Sequence, residues 1–434
     1  MGVLRNVIVP AVFLAVLSLQ VTCEPRSYDG YKVIRIKVNS EDDVRFLRTL
    51  QTSNGQLDFW DFPSDLMVPT DQADTIESQL VSQGLKFDVW IHDVQKLIDG
   101  QFTKSPKDGF NAAGARIQST DPHYFDYEIY HRWAEIDQWV KNTAAKYPTL
   151  AEEFIIGRSY EKRAMRALKV GVDTGNEKWG AWYNGGIHAR EWVSPATVMW
   201  MTNQFLEDYK NNVTEVVTLL ETFDLYVLPV MNPDGYEYTW TDERLWRKTR
   251  SINLGSNCMG TDPNRNFAYE WGGIGASADP CSIVFRGPYP HSEIEIKDVT
   301  DFIRERGKTQ KFKLYIDFHS YSQLWLSSWG YTYDLPDDYE TMYDQMTVGC
   351  EAIKSVHNKT YVYGAGSSVL YATAGSSKDW GYGVMGVPYS YTVELRDTGE
   401  YGFVLPEDQI LPTCQEMYAG LKAALQFNID NPYP

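Results

Sequence analysis

Positive charge is in short supply in this 434-residue sequence: 40 lysines and arginines stand against 58 aspartates and glutamates, a formal net charge of −18. A field of that sign repels polyphosphates and anionic lipid surfaces, which excludes nucleic acid and membrane as principal partners. The one dense basic run, Arg244-Leu-Trp-Arg-Lys-Thr-Arg250, fits a solvated loop or an anion site inside a folded domain. Beyond the N-terminus no apolar stretch reaches the roughly 20 uncharged residues of a membrane span. Internal repeats are absent, and only five cysteines and seven histidines occur, so the position of each carries information. Aromatic residues are plentiful: 14 Trp, 29 Tyr and 18 Phe are too many buriable side chains for a disordered or collagen-like chain. At roughly 150 residues per domain the length predicts two or three folded units.

Residues 1–23 combine Arg5, an apolar stretch from Val7 to Leu19 and the end Val21-Thr22-Cys23. This reads as a secretory signal, too short to span a membrane and interrupted or bounded by Pro10 and Gln20. It predicts a soluble, secreted, extracellular protein. Its removal takes Cys23 and leaves Cys258, Cys281, Cys350 and Cys414, an even count that in an oxidising compartment predicts two disulfides. Of the three possible pairings, Cys258 with Cys281 is expected, which leaves Cys350 for Cys414. Asn212-Val-Thr and Asn358-Lys-Thr are N-glycosylation sequons in keeping with secretion.

Residues 30–98 have a rhythm of their own. Tyr31–Val38 is a β-branched strand; Ser40 as N-cap, with Asp42 and Asp43 behind it, opens a helix carrying Val44, Leu47 and Leu50. Strands around 57–62 and 65–68, a helix over 70–83 stopped by Gly84, and a strand over 85–91 complete a βαββαβ order, which predicts a small ferredoxin-like α+β domain. Residues 99–120 are small, polar and without periodicity, a linker in which Lys104, Lys107 and Arg116 suit a trypsin-like protease. From about 121 onward, apolar strands at 164–172, 180–183, 225–230, 312–318 and 389–395 alternate with helices near 195–210, 291–306, 338–357 and 411–428. That alternation predicts an α/β domain: a mixed, mostly parallel twisted sheet covered by helices on both faces.

The chemistry concentrates at strand ends. In Trp182-Tyr-Asn-Gly-Gly-Ile-His188-Ala-Arg-Glu191-Trp-Val-Ser-Pro195 a strand runs through glycines toward a helix, with Ser194 and Pro195 as N-cap and first-turn residue. His188 and Glu191 can aim a nitrogen and a carboxylate at one point. His319 lies just past the apolar strand Leu314–Phe318. Two histidines and one glutamate make an open catalytic site for one Zn²⁺ per chain, its fourth position left for a water whose pKa zinc lowers from 15.7 to ≈ 7. His92, His123, His131, His291 and His357 sit in no such context and read as surface or satisfied structural residues.

Three separated motifs, His188-Ala-Arg-Glu191-Trp, Asp317-Phe-His319-Ser-Tyr-Ser-Gln323 and Tyr391-Thr-Val-Glu394-Leu-Arg-Asp-Thr-Gly399, resemble in kind and order those of the secreted zinc metallocarboxypeptidases of the carboxypeptidase A/B family. The resemblance extends over essentially the whole chain. It implies a zymogen: signal 1–23, pro-segment 24–116 with its activation linker near 99–116 and a last cut at Arg116, and catalytic domain 117–434. It implies Glu394 as the base that deprotonates the attacking zinc-bound water and returns the proton to the leaving amine, and Arg247 as the cation beside the oxyanion. Asn264 and Arg265 match the pair that grips the substrate's terminal carboxylate, and Tyr371 the mobile tyrosine that closes over it. Arg190 and Tyr321 match contacts further from the scissile bond. For Asp262, support of a zinc-bound histidine and an N-cap role are equally open. Implied partners are peptides with a free C-terminus, an activating trypsin-like protease and protein carboxypeptidase inhibitors, with the enzyme a monomer.

One position departs from the family. The residue at the base of the terminal-residue pocket lies seven positions after the mobile tyrosine, just before Asp379-Trp380, and here it is Lys378. Family members of the A type carry an aliphatic residue there and the B type an aspartate. A lysine inverts the B-type logic and predicts preference for a C-terminal glutamate. The rival expectation is an A-type aliphatic and aromatic preference, with the lysine bent away and its methylenes lining the wall. A remote rival, a catalytically silent peptide-binding relative, would have lost a zinc ligand or the base, and none is missing.

Overall fold

The computed structural model describes residues 24–53, 57–104 and 124–432. β1 (Lys32–Lys37) is the expected β-branched run, with Val33, Ile34 and Ile36 buried. α1 (Glu41–Ser53) begins at the expected cap: Asp43 N donates to Ser40 Oγ at 3.2 Å, and the Asp43 carboxylate accepts in return from Asn39 N and Ser40 N. β2 (Asp58–Asp61), β3 (Asp65–Val68), α2 (Ala73–Ser82) and β4 (Lys86–Ile91) complete the βαββαβ order. Gly84, at φ +74°, stops α2 as a residue with a Cβ would do only under strain. The strands pair β2-β3-β1-β4, all antiparallel, as a ferredoxin-like sandwich requires. A short helix, α3 (Val94–Asp99), follows, capped by Asp93. The signal region 1–23 and the expected cut sites Lys107 and Arg116 lie outside the described residues.

The trailing unit contains helices α4 (Trp133–Lys146), α5 (Val193–Lys210), α6 (Thr214–Thr222), α7 (Pro233–Thr241), α8 (Ile294–Gly307), α9 (Tyr339–His357), α10 (Gly366–Val369), α11 (Ser377–Gly383) and α12 (Ile410–Asp430). Its strands are β5 (Ala151–Arg158), β6 (Ala164–Val170), β7 (Trp179–Asn184), β8 (Phe223–Leu228), β9 (Phe312–Ser320), β10 (Leu324–Ser327), β11 (Val362–Ala365) and β12 (Tyr389–Leu395). They form one sheet in the order β11-β10-β12-β9-β7-β8-β6-β5. The centre, β12-β9-β7-β8, is parallel, while β10 runs against β12, and β6 against β8 and β5. Because side chains alternate across a strand, Tyr183, Ile316 and Phe318 join the core under α4, α5, α9 and α12, whereas Trp182 and Tyr315 join the one under α8 and α11. Burial on both faces is what makes the central strands read as continuous apolar runs.

Cys258 and Cys281 are bridged, with Cα atoms 5.0 Å apart. The second expected disulfide is absent: Cys350 on α9 and Cys414 on α12 are free and buried. Cys414 Sγ instead lies 3.7 Å from Thr197 Oγ1, and burial pushes both thiols up to about 12.

The leading unit is seated on the carboxyl ends of the central strands. Trp60, Met67 and Ile91 share one core with Leu245, Tyr321 and Phe403, and Trp90 Nε1 donates to Gly399 O at 2.5 Å. Farther along, Gln101 Nε2 donates to Leu405 O at 3.1 Å and its Oε1 accepts from Arg244 Nε at 3.0 Å. Phe102 is buried against Trp192 and Trp240. Lys104, one of the three expected cut sites, is held by Glu407, which accepts from its backbone N at 2.8 Å, and by an ion pair with Glu128.

Candidate active site

The loop after β7 turns at Gly185 and Gly186. A Cβ on Gly185 would stand 2.9 Å from Pro195 N, and Gly186 has φ +62°, so both glycines are needed to bring the loop back against α5. The helix begins at Val193, earlier than the sequence suggests, and Ser194 is not its cap. The Ser194 hydroxyl accepts from Gly186 N and donates to Glu191 O, each at 3.0 Å. It thus ties the loop into the shape that presents His188 and Glu191.

The three proposed ligands converge. His188 Nδ1 is 2.8 Å from Glu191 Oε1 and 3.1 Å from His319 Nδ1, and His319 Nδ1 is 3.0 Å from Glu191 Oε2. One donor atom from each lies within 4.8 Å of the others, and all three residues are buried. The far nitrogen of each ring is held by a carboxylate, His188 Nε2 by Asp262 at 3.1 Å and His319 Nε2 by Asp317 at 3.0 Å. Two ring nitrogens facing each other across a carboxylate, with both rings oriented from behind, fit a zinc ion well. Burial opposes ionisation of Glu191, yet His188 and His319 hold its carboxyl far below the usual range. Burial alone would lower His319; Asp317 and Glu191 outweigh it and hold the ring well above its ordinary value.

Asp317 was not anticipated. Its signal was a charged residue two positions before His319 inside an apolar strand, on the same face because the side-chain period is two. Asp262 fills both roles left open for it: besides His188 it accepts from Asn264 N at 3.0 Å, capping the turn Pro263–Arg265, and from Arg247 at 3.0 and 3.2 Å.

A cavity with about 110 Å³ of water-accessible space joins these ligands to Glu394, Arg247, Asn264, Arg265, Tyr321, Tyr371 and Lys378. Glu394 stands beside His319 in the register of β12 with β9. Burial, with Glu191 adding and His319 opposing, pushes its carboxyl up to about 8. Asn264 Oδ1 accepts from Ser377 N at 2.8 Å, and Arg265 is fixed by Gly275 O and Asn264 O, each at 2.9 Å. Lys378 opens α11 after Ser377 and is 3 % exposed; its Nζ donates to Asp379 Oδ1 at 3.1 Å.

Three residues of the expected site are engaged by the leading unit. Tyr371 packs on Phe62 with ring centroids 5.1 Å apart. Tyr321 donates to Asp65 Oδ2 at 3.3 Å. Arg190 lies behind the cavity, where its Nη1 donates to Asp58 Oδ2 at 2.5 Å and its guanidinium covers the Phe403 ring at 3.9 Å. Trp60, Asp61 and Phe62 themselves enter the cavity wall. Two of the other histidines take structural roles: His291 accepts from Ala268 N and His131 bonds Asp126 O; His123 lies outside the described residues.

Residues 136–420 match the zinc carboxypeptidase family and residues 34–101 the carboxypeptidase activation peptide. The chain is 39 % identical over 432 residues to carboxypeptidase A2 of Rattus norvegicus, covering 97 % of this chain and 99 % of that one. It is 46 % identical over 304 residues to carboxypeptidase B of Astacus astacus, covering 70 % and 98 %. The crystal structure of thrombin activatable fibrinolysis inhibitor superposes with a TM-score of 0.80 at 34 % identity, over 92 % of this chain and 99 % of that one.

Proposed function

This chain belongs to the zinc carboxypeptidase family and is the zymogen of a zinc-dependent carboxypeptidase of the A/B type, and from that premise we propose that its activated form removes single C-terminal residues with preference for glutamate. His188, Glu191 and His319 are the proposed ligands. Zinc bound there supplies a Lewis acid and lowers the pKa of a coordinated water toward ≈ 7. Glu394 takes the proton of the attacking water and passes it to the leaving amine. Arg247, steadied by Asp262, faces the charge that develops on the carbonyl oxygen. Asn264 and Arg265 hold the terminal carboxylate, Tyr371 covers it once Phe62 has left, and Tyr321 and Arg190 serve the chain upstream.

The observation that carries the preference is a buried ammonium in the same cavity. Among the described residues Lys378 Nζ has one hydrogen-bond partner, Asp379, so two of its three N–H bonds are free for a substrate carboxylate. A neutral terminal side chain would leave two donors of that ammonium unmet, and an unmet buried hydrogen-bonding group costs about 1–3 kcal/mol, a discrimination of about 10–10²-fold. The Asp379 pair is also what favours the rival A-type reading, since a tethered and neutralised lysine can present only its methylenes.

The test uses zinc-loaded protein activated with trypsin and matched substrates ending in Glu, Phe and Arg. We expect kcat/KM to favour Glu by about tenfold or more, to vanish with a zinc chelator, and to lose the preference in Lys378→Ile. Preference for Phe in the native sequence would install the A-type reading instead.

Secretion makes a separate prediction. Asn212 and Asn358 are exposed and follow α5 and α9 at φ +57° and +56°, so both sequon amides face solvent. Protein secreted by a eukaryotic host is expected to lose mass on treatment with a peptide N-glycosidase, in two steps removed singly by Asn212→Gln and Asn358→Gln. An unchanged mass spectrum refutes it.

A further inference from the structure

Two glycines border the base of the pocket, and their φ angles explain neither. Gly330 and Gly366 both lie outside the positive-φ region. A Cβ on Gly330 would stand 2.4 Å from Lys378 Nζ and 3.1 Å from Asp379 Oδ2; one on Gly366 would stand 2.8 Å from Lys378 Cε and 3.0 Å from its Nζ. Carbon cannot approach heavy atoms so closely without displacing them. The two missing methyl groups therefore flank one ammonium, from the loop after β10 and from the start of α10.

The rest of the seat is equally fixed. Gly330 N donates to both oxygens of Asp379 at 2.9 Å, and Tyr331 N adds a third bond at 3.2 Å. The counterion is thus anchored before it meets the lysine. The Lys378 carbonyl accepts from Ser390 Oγ at 2.7 Å and Ser328 Oγ at 3.2 Å. Backbone, counterion and walls together hold the charge at the base of the pocket, and a cation so placed loses little entropy on meeting an anion.

We infer that Gly330 and Gly366 are the positioning residues of this pocket: by lacking a side chain they seat the Lys378 ammonium at its base, and through it they select a C-terminal acidic residue. The same two seats, Arg265 for one carboxylate and Lys378 for the other, define the small ligand the pocket takes as a short α,ω-dicarboxylate. The inference rests on the reading of Lys378 given above. A methyl group at either glycine pushes the ammonium away from the base and leaves an apolar floor.

The experiment compares native sequence, Gly330→Ala, Gly366→Ala, Lys378→Met and the double variant Gly366→Ala/Lys378→Met, all zinc-loaded and trypsin-activated. The readout is the ratio of kcat/KM for matched substrates ending in Glu and Leu, which a reduced fraction of folded enzyme does not move. Each glycine variant is expected to lower that ratio about tenfold or more. In the Lys378→Met background Gly366→Ala is expected to leave it unchanged, because the glycine acts through the lysine. Glutarate, a stronger competitive inhibitor than pentanoate for the native sequence, is expected to lose that advantage in parallel. Glycine variants that keep the native ratio, or a Gly366→Ala effect of equal size with and without the lysine, would overturn the inference while leaving the glutamate preference standing. A native ratio near one removes both.

Discussion

Activated Glu394→Gln enzyme is expected to hydrolyse its substrates about 10²–10⁴-fold more slowly than the native sequence, the usual contribution of a positioned general base, with its zinc content unchanged. The two readouts separate because Glu394 lies outside the convergent set formed by His188, Glu191 and His319. Glutamine has the same shape but takes up no proton. The pH profile supplies a second check. Burial pushes the Glu394 carboxyl up to about 8, and positive charge at the neighbouring ligand set opposes that rise. A base acts only when ionised, so kcat/KM climbs with pH through its pKa. That limb lies at or below about 8 and disappears in Glu394→Gln. A variant that keeps a tenth of the native activity, or keeps the limb, would remove Glu394 from its role.

Asp58→Ala is expected to loosen the leading unit by about 3–5 kcal/mol, the cost of stranding one member of a buried ion pair. Arg190 is 1 % exposed, and its Nε and Nη2 already lack partners among the described residues. Without Asp58 the guanidinium keeps only Leu245 O at 3.4 Å and the Phe403 ring. Once the linker is cut, the separated pro-segment should inhibit the mature enzyme about 10²–10³-fold more weakly than the native one, and activity should appear sooner after trypsin is added. The exposed pair Lys37–Asp88 is the control, since such pairs contribute at most ~1 kcal/mol. Equal inhibition constants for Asp58→Ala and the native pro-segment would assign the inhibition to the packing of Trp60 and Phe62.

The central strands were legible because they are buried on both faces, and the zinc turn because glycines and a second strand-end histidine frame it. Elements that take their stability from position were not. β10 and β11 have four residues each, too few for a period, and β5, an edge strand, sets two glutamates beside three apolar residues and a glycine, with no alternation to read. Counting cysteines says how many can pair and nothing about where their side chains point, so Cys350 and Cys414 were joined on parity although helix packing encloses both as thiols. Arg190 was singled out as a substrate contact, but the partner it has in the zymogen comes from 132 residues upstream, a separation no local pattern spans. Asp379 stood beside Lys378 throughout. What the sequence could not convey is that two glycines, 48 and 12 residues before that lysine, complete its surroundings.

Phe102 and Gln101 have a consequence for biosynthesis. They lie N-terminal to the expected cut yet fill a slot between Trp192, Trp240 and Arg244, directly behind the zinc turn. A nascent chain delivers the leading unit first, and its antiparallel sheet is closed by contacts near in sequence. The larger sheet must wait for β12, more than 200 residues after β7. The early unit is therefore made before the wall it packs against, and Phe102 is its last buried aromatic contact with that wall. A cut in the expected linker would leave Phe102 on the departing piece and open the slot beside Trp192 and Trp240 to solvent.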